Sequence, residues 1–211
     1  MVRKLLLVCG ILSSLLYVAM NIFVPLQYKG YNAVSQTISE LSAIDAPTRP
    51  LWLVLGFIYT LLVIAFGWGI WMSARKNRKL RISGGLLIAY GLSGFAWPFA
   101  PMHQREVLAT GGGTLADTMH LVLGGVTVLI YMIALGFGAA AFGKRFRVYS
   151  IATFVTLIGF GILVGLDGPK IGANQPTPWV GVTERIDIGV FLLWIMVLAI
   201  VILRDPNPPD F

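Results

Sequence analysis

Two side chains near the start of one predicted helix have the types and the spacing needed for proton transfer. Asp117 and His120 are three residues apart and share one helical face, and Thr114 can cap that helix. A histidine oriented by a carboxylate can act as general base for a hydroxyl group, such as that of Ser39 upstream. The candidate catalytic residues are therefore Ser39, Asp117 and His120. In the alternative interpretation, Asp117 and a neutral His120 only hold the helix end in place.

The same side chains allow a second chemistry, the activation of a metal-bound water. His120, His103 and Asp117 are ligand types that zinc accepts, and Glu40 or Asp187 is a further candidate ligand. The sequence has two histidines and no His-x-x-x-His pair, so it lacks a common spacing of zinc ligands. No cofactor is assured, and a divalent metal such as zinc is an alternative.

Charged side chains before the last apolar segment indicate anion binding. Glu184 and Asp187 share one helical face, with Arg185 beside them. An arginine at a helix N-terminus gains nothing from the helix dipole, so we expect Arg185 to pair with an acid, Glu40, Asp117 or Glu184. Alternatively it binds a phosphate or carboxylate head group, which its planar fork suits. The candidate ligand-binding residues are Glu40, Arg105, Glu184, Arg185 and Asp187.

The elements that must position these residues are membrane helices. The chain of 211 residues has 12% charged residues and a mean hydropathy of +0.81, whereas soluble domains have about 25% charged residues. Six segments are long and apolar enough to cross a bilayer, at about 20 residues each. They are residues 5–24, 51–73, 82–100, 118–142, 148–166 and 185–203. The sequence therefore predicts a single all-α domain over residues 1–211.

The basic residues predict the orientation of these helices. Eleven of the 16 Lys and Arg residues lie at the two ends of the chain and in the second and fourth loops. By the positive-inside rule this side is cytoplasmic, so both termini are predicted to be cytoplasmic in the plasma membrane of a bacterium. The basic loops then contact membrane lipids, and no nucleic acid is expected as a partner.

The acids and histidines collect on the opposite, outer side. Seven of the nine acids and both histidines fall in the outer loops or the adjoining helix ends, while Asp205 and Asp210 lie in the tail. Pro98 and Pro101 end the third helix, so we expect the chain to cross the outer surface with Arg105 exposed. Any functional site is therefore expected to face outward.

The serine-rich stretch NAVSQTISELSA, residues 32–43, lies on this outer side after the first helix. Val34, Ile38 and Leu41 recur at helical spacing, and Thr37 and Glu40 have the form of a capping box. The pattern predicts a short amphipathic helix at the outer interface. Its hydroxyls and Glu40 either satisfy helix ends at the water boundary or, in the case of Ser39 and Glu40, line a pocket.

Three segments together resemble a known family. They are NAVSQTISELSAIDAPTR, FAPMHQREVLATGGGTLADTMH and NQPTPWVGVTERIDIGVFLLW. The chain resembles, over essentially its whole length, the bacterial family of six-helix membrane proteins catalogued as domain of unknown function 998. The matching elements are Ser39, Glu40, Leu41, Pro98, Pro101, His120, Glu184 and Arg185. The resemblance implies a six-helix bundle in the plasma membrane and no settled activity.

Three functions are compatible with this pattern. In the first, the outer end of the bundle is a polar pocket that binds a lipid head group or a small polar ligand. In the second, the same site is a membrane hydrolase that acts on a lipid-like substrate through Ser39 and His120 or through a bound metal. In the third, the polar residues only tie the outer loops together, and the protein is structural or accessory.

Overall fold

The computed structural model describes residues 1–204, and no strand occurs among them. Asp205 and Asp210 lie outside the described residues. The helices are α1 (Val2–Phe23), α2 (Arg49–Ser73), α3 (Arg78–Ser93), α4 (Arg105–Ala109), α5 (Leu115–Ala140), α6 (Lys144–Gly172) and α7 (Val180–Arg204). Short 3-10 turns are formed by Pro25–Gln27, Ser39–Ser42 and Gly94–Phe99. The predicted all-helical class is confirmed.

Six of these helices are long and apolar enough to cross a membrane, as predicted. They are α1, α2, α3, α5, α6 and α7, whereas α4 is a single short turn within the loop between α3 and α5. Each spanning helix packs against the next one along the chain, and α7 closes the ring against α1. The loops that join these helices therefore meet at the two ends of one bundle.

Aromatic side chains of α7 fill the centre of the bundle. Trp194 is fully buried and donates a hydrogen bond from Nε1 to Ser150 Oγ of α6, at 2.9 Å. Phe191, one turn closer to the start of α7, stacks on Tyr131 of α5 with ring centroids 4.3 Å apart. Of the six spanning helices, α7 is the most buried and α6 the least. The side chains at the start of α7 are therefore held by a rigid core.

The predicted amphipathic helix after α1 is wrong. Residues 32–43 form turns and the single 3-10 turn Ser39–Ser42. Side chains of the segment instead accept hydrogen bonds from its own backbone nitrogens. Asn32 Oδ1 accepts from Val34 N at 2.9 Å, Gln36 Oε1 accepts from Asn32 N at 2.7 Å, and Glu40 Oε2 accepts from Thr37 N at 2.7 Å. Such local bonds compete with helix formation, and here they replace it.

The last two spanning helices extend further than predicted. α6 runs through Asp167 and Pro169 to Gly172, and α7 begins at Val180. In the last turn of α6, Lys170 Nζ contacts Asp167 Oδ1 at 2.7 Å, and a lysine there also interacts favourably with the helix dipole. The loop between the two helices is therefore only seven residues long.

Close approach of α2 and α3 depends on glycines. A Cβ atom on Gly67 would lie 2.8 Å from the backbone nitrogen of Ile88 and 2.9 Å from the carbonyl oxygen of Gly84. These are backbone atoms, which cannot rotate away as a side chain can. The two helices therefore pack with their backbones almost in contact, as small residues allow in membranes.

We expect Gly67→Ala to destabilise the bundle by about 1–3 kcal/mol, because the added methyl group must push two helices apart. The matched control is Gly56→Ala on the same helix, where an added Cβ has no neighbour within 4 Å. Gly56→Ala should leave the stability of the bundle unchanged or raise it slightly, since alanine favours a helix more than glycine does. Unfolding midpoints of the detergent-purified proteins test this, and equal midpoints for the two variants would contradict it.

Candidate functional site

The predicted site lies at the end of the bundle where α1 connects to α2, and it is organised around residues 31–43, which we call the serine-rich loop. This loop follows α1 and contacts α4, the loop between α6 and α7, and the first turns of α7. The contact with the first turn of α7 is very close, because a Cβ on Gly181 would collide with the carbonyl oxygens of Ala33 and Gln36. Three parts of the chain that are distant in sequence therefore meet on one loop.

A buried ion pair joins the serine-rich loop to α4. Arg105 Nε donates to Glu40 Oε1 at 2.7 Å, and Arg105 Nη2 donates to Glu40 Oε2 at 2.8 Å. The carboxylate also accepts hydrogen bonds from the Gln36 side chain and from the backbone and hydroxyl of Thr37. Glu40 is fully buried, and all of its charge is compensated by this bidentate pair and these donors.

The guanidinium of Arg105 also reaches the loop before α7. Its Nη1 donates to Thr177 Oγ1 at 2.8 Å, and its Nη2 donates to the carbonyl oxygen of Ser35 at 3.1 Å. The Thr177 hydroxyl in turn donates to the same carbonyl at 2.9 Å. The expectation that Arg105 is exposed is therefore wrong, because only 8% of the residue is accessible.

The hydrogen bonds to Glu40 change the pKa of its carboxyl group. Burial alone would raise the pKa of the Glu40 carboxyl group, but hydrogen bonds from Arg105, Gln36 and Thr37 outweigh burial and lower the pKa below its ordinary value. Glu40 is thus an ionised, structural carboxylate. It is not a proton donor at neutral pH.

Arg185 binds the serine-rich loop through oxygens that carry no charge. Its Nη1 donates to the carbonyl oxygens of Ala33, Gln36 and Gly181 at 2.9, 3.2 and 2.9 Å, and its Nη2 donates to the Tyr31 hydroxyl at 2.7 Å. The predicted acid partner is therefore wrong. Loop carbonyls are available to the terminal nitrogens of the guanidinium because a turn-rich segment leaves them without helical partners. The buried Nε of Arg185 has no hydrogen-bond partner among residues 1–204.

Tyr31 completes this contact. Its hydroxyl donates to the carbonyl oxygen of Thr37 at 2.8 Å while it accepts from Arg185. Burial raises the pKa of Tyr31 to about 12, although the hydrogen bond from Arg185 opposes the increase. Tyr31 therefore stays neutral and can donate and accept at once.

The two acids of α7 have different environments. Glu184 Oε2 accepts from the backbone nitrogen of Ile38 at 2.5 Å and so fixes the residue that precedes Ser39. Asp187 lies one turn deeper and is 8% accessible, and its Oδ1 has no hydrogen-bond partner. Only Glu184 contacts the serine-rich loop.

Asp117 pairs with the other histidine. Its Oδ2 lies 2.8 Å from His103 Nδ1, and its Oδ1 accepts from the His103 backbone nitrogen at 2.7 Å. The prediction that Thr114 caps α5 is confirmed, and Thr114 forms a capping box with Asp117 there. The prediction that Asp117 orients His120 is wrong, because capping turns its carboxylate back toward the preceding loop, where His103 lies.

His120 contacts Ser39 instead. His120 Nδ1 lies 2.8 Å from the carbonyl oxygen of Ala100, and His120 Nε2 lies 3.1 Å from Ser39 Oγ. A carbonyl oxygen can only accept, so Nδ1 carries the hydrogen, and Nε2 of the neutral ring accepts from the serine hydroxyl. The arrangement is a serine–histidine pair in which a backbone carbonyl orients the imidazole.

Two further residues position this pair. The ring of Trp97 packs edge-on against His120, with centroids 5.0 Å apart. Arg49 at the start of α2 donates to the carbonyl oxygen of Ser42 at 2.6 Å and to that of Pro98 at 3.2 Å. Arg49 therefore links the segment that carries Ser39 to the segment that orients His120.

The predicted metal ligands do not converge. Within residues 1–204, no group of three or more His, Cys, Asp or Glu side chains is arranged to hold a metal ion. His103 and Asp117 contact each other, while His120 contacts Ser39 and Ala100. Of the three predicted catalytic side chains, those of Ser39 and His120 contact each other, whereas that of Asp117 binds His103.

Several residues of the site had no signal in the sequence. Tyr31, Arg49 and Thr177 act through hydrogen bonds to backbone or to a side chain on a distant segment. A backbone acceptor such as the carbonyl of Ala100 exists at every position, so spacing alone does not reveal it. The cluster of Pro, Phe and Trp at residues 95–101 marks a bent segment but does not predict its contact with His120.

The fold and these contacts define an integral membrane protein of six helices with a polar loop network at one end. The chain matches the sequence model of the family described as "Protein of unknown function (DUF998)" over residues 11–201, and it belongs to that family. No curated protein and no solved structure matches the chain. An activity must therefore be argued from the geometry of the site.

We expect Arg105→Gln to destabilise the protein by about 3–5 kcal/mol, because it leaves the Glu40 carboxylate buried without its partner. The double variant Glu40→Gln/Arg105→Gln should lose less unfolding free energy than the two single variants lose together, since neither partner is then left charged and unpaired. Lys170→Gln, in the exposed pair with Asp167, is the control and should cost at most about 1 kcal/mol. Unfolding in detergent measures all four variants. Strict additivity of the two single changes would contradict the assignment.

Acid should weaken the wild type through Glu40. Its folded pKa lies below the unfolded value of about 4.3, so its stabilising contribution is complete above that pH and is lost as the pH falls through the folded pKa. Thermal unfolding midpoints between about pH 6 and about pH 3 should therefore fall more steeply for the wild type than for Glu40→Gln. Parallel curves for the two proteins would show that another group causes the acid sensitivity.

Proposed function

We propose that this protein is a plasma-membrane hydrolase with both termini in the cytoplasm, and that Ser39 and His120 cleave an ester bond of a lipid-like substrate at its outer side. The observation that carries the proposal is the contact between Ser39 Oγ and His120 Nε2 at 3.1 Å, with His120 Nδ1 bound to the carbonyl of Ala100. A nucleophile within reach of a base, and a base oriented by a third group, is the arrangement that nucleophilic catalysis requires.

In the proposed reaction, His120 Nε2 accepts a proton and gives it up again in each of two steps, acylation and deacylation of Ser39. As Ser39 Oγ attacks the carbonyl carbon of the ester, its proton passes to His120 Nε2 and a tetrahedral intermediate forms. His120 returns that proton to the departing alcohol oxygen, which leaves an acyl ester on Ser39. Water then attacks the acyl carbon, gives a proton to Nε2, and releases the acid as Ser39 regains its hydrogen.

The lipid-like substrate is inferred from the surroundings of the pair. Large apolar side chains are exposed beside Ala100 and in the first two turns of α5, namely Phe99 at 77%, Leu115 at 74% and Met119 at 46%. Apolar side chains at the end of a membrane helix favour the acyl chains of lipid. A substrate with an acyl chain can therefore lie beside α5 with its ester near Ser39.

Binding of a lipid head group by the arginines has less support. Arg105 directs hydrogen bonds to Glu40, Thr177 and Ser35, and Arg185 directs its own to Tyr31 and loop carbonyls. An anion would have to displace these partners. We therefore assign Glu40, Arg105, Glu184 and Arg185 to the support of the serine-rich loop, as the structural hypothesis expects, and place ligand contact at Ser39.

The test is covalent labelling of Ser39 by an alkyl fluorophosphonate, which reacts with an activated serine hydroxyl. We expect the purified protein in detergent to be labelled and to hydrolyse medium-chain p-nitrophenyl esters. Ser39→Ala should lose both signals, and His120→Asn should reduce both by about 10²-fold or more, since a general base contributes about that factor.

Ser42→Ala is the matched control, because it removes a hydroxyl from the same 3-10 turn and Ser42 does not contact His120. It should retain labelling and ester hydrolysis. Unfolding midpoints show whether each variant is folded. A wild type that is neither labelled nor active, or label that persists in Ser39→Ala, overturns the proposal.

A further inference from the structure

A second polar region lies at the opposite end of the bundle, where α2 ends and α3 begins. It is a cleft of about 580 Å³. Its lining consists of Trp71, Arg75, Lys76, Arg78, Arg81 and Ile82. Four cationic side chains thus line one cleft together with the indole ring of Trp71 and the aliphatic side chain of Ile82.

The charge of this cleft is not neutralised by the protein as described. Among residues 1–204 the ion pairs are His103 with Asp117, Arg105 with Glu40, and Lys170 with Asp167. All three lie near the outer loops, and none involves the cleft. Four like charges held near one another repel, so an anion that enters the cleft relieves this repulsion.

Contacts within the connection between α2 and α3 hold the cleft in shape. Arg75 has a left-handed backbone with φ of 44°, and its carbonyl oxygen accepts a hydrogen bond from Arg81 Nη2. The Arg81 guanidinium also lies over the ring of Trp71, 6.0 Å from its centroid. Arg81 is therefore a fixed part of the wall.

Buried Asn77 anchors the same connection to the neighbouring end of α5. Its Oδ1 caps α3 by accepting from Leu80 N at 3.0 Å, and its Nδ2 donates to the carbonyl oxygen of Ala141 at 3.1 Å. Lys76 and Arg78, on either side of Asn77, are exposed and line the cleft. A preformed site needs little reorganisation to bind a ligand.

The position of the cleft favours a lipid. It lies at the end of two membrane-spanning helices, and Trp71, 42% exposed, lies in the last turn of α2, where tryptophan marks the membrane interface. Trp68 and Met72 are exposed at 53% and 46% at the same end of α2. Cations beside apolar side chains at the bilayer boundary match a phosphate head group with acyl chains attached.

We propose that this cleft binds the phosphate head group of an anionic phospholipid, such as phosphatidylglycerol, from the leaflet on the side of the termini. Lys76, Arg78 and Arg75 contact the phosphate, with Arg81 held by Trp71 behind them. The acyl chains run along Trp68 and Met72. This site is separate from Ser39 and His120, and it does not depend on the function proposed for them.

The test measures lipid binding by native mass spectrometry of the full chain released from detergent. Phosphatidylglycerol is titrated against phosphatidylcholine of the same acyl chains. The variant is Lys76→Gln/Arg78→Gln, which leaves the contacts of Arg75, Arg81 and Trp71 in place. The matched control is Lys144→Gln/Arg145→Gln at the start of α6, which removes the same two side-chain types at exposed positions on the same side.

We expect the wild type to prefer phosphatidylglycerol and the cleft variant to bind it about 25-fold more weakly, at about fivefold for each of the two basic residues lost near an anionic head group. The control should bind as the wild type does. An equal loss in the control, or equal binding of phosphatidylcholine by the wild type, overturns the proposal.

A second arm separates the lipid from a free phosphate. Glycerol 3-phosphate, which has the same phosphate without acyl chains, is added to the wild type at the same concentrations. We expect it to leave the unfolding midpoint unchanged where phosphatidylglycerol raises it. If the soluble phosphate raises the midpoint equally and displaces the lipid, the cleft binds a free anion and the assignment to a lipid is wrong.

Discussion

The buried pair of Glu40 and Arg105 is the interaction on which the end of the bundle with the serine-rich loop depends. A carboxylate that is fully removed from water is tolerated only when its charge is paired and its oxygens accept hydrogen bonds. Glu40 meets this condition with a bidentate arginine and three further donors. Because Arg105 also binds Ser35 and Thr177, one guanidinium fixes the serine-rich loop, α4 and the loop before α7 relative to each other.

The position of Ser39 follows from that constraint. It lies between Ile38, whose backbone nitrogen is bound by Glu184 of α7, and Glu40, which is held by Arg105. The residues on both sides of the serine are thus fixed by charged groups from other segments. Arg49 adds a link between this segment and the one that orients His120. A polar loop without regular secondary structure thereby becomes rigid enough to present one hydroxyl to one imidazole nitrogen.

The two ends of the bundle use charge in opposite ways. At the end that carries the serine-rich loop, the charges of Glu40 and Arg105 are buried and paired within the protein, and the contact between Ser39 and His120 is uncharged when the histidine is neutral. At the other end, Arg75, Lys76 and Arg78 are exposed beside a membrane-interface tryptophan. The hydrogen bonds around the serine-rich loop hold the protein's own side chains in place, whereas the exposed positive charge of the basic cleft is complementary to an anion.

The sequence by itself determined the six apolar helices, the cap of α5 by Thr114, and the collection of acids and histidines in the loops and adjoining helix ends at one end of the bundle. These features depend on hydropathy and on contacts between residues close in the chain. Only the tertiary structure decided that Glu40 pairs with Arg105 and not with Arg185, and that Asp117 holds His103 while His120 holds Ser39. The physical reason is that a guanidinium or an imidazole can bind any suitably placed oxygen, including a backbone carbonyl. Its partner is therefore set by how the helices bring distant loops together, which residue spacing does not encode.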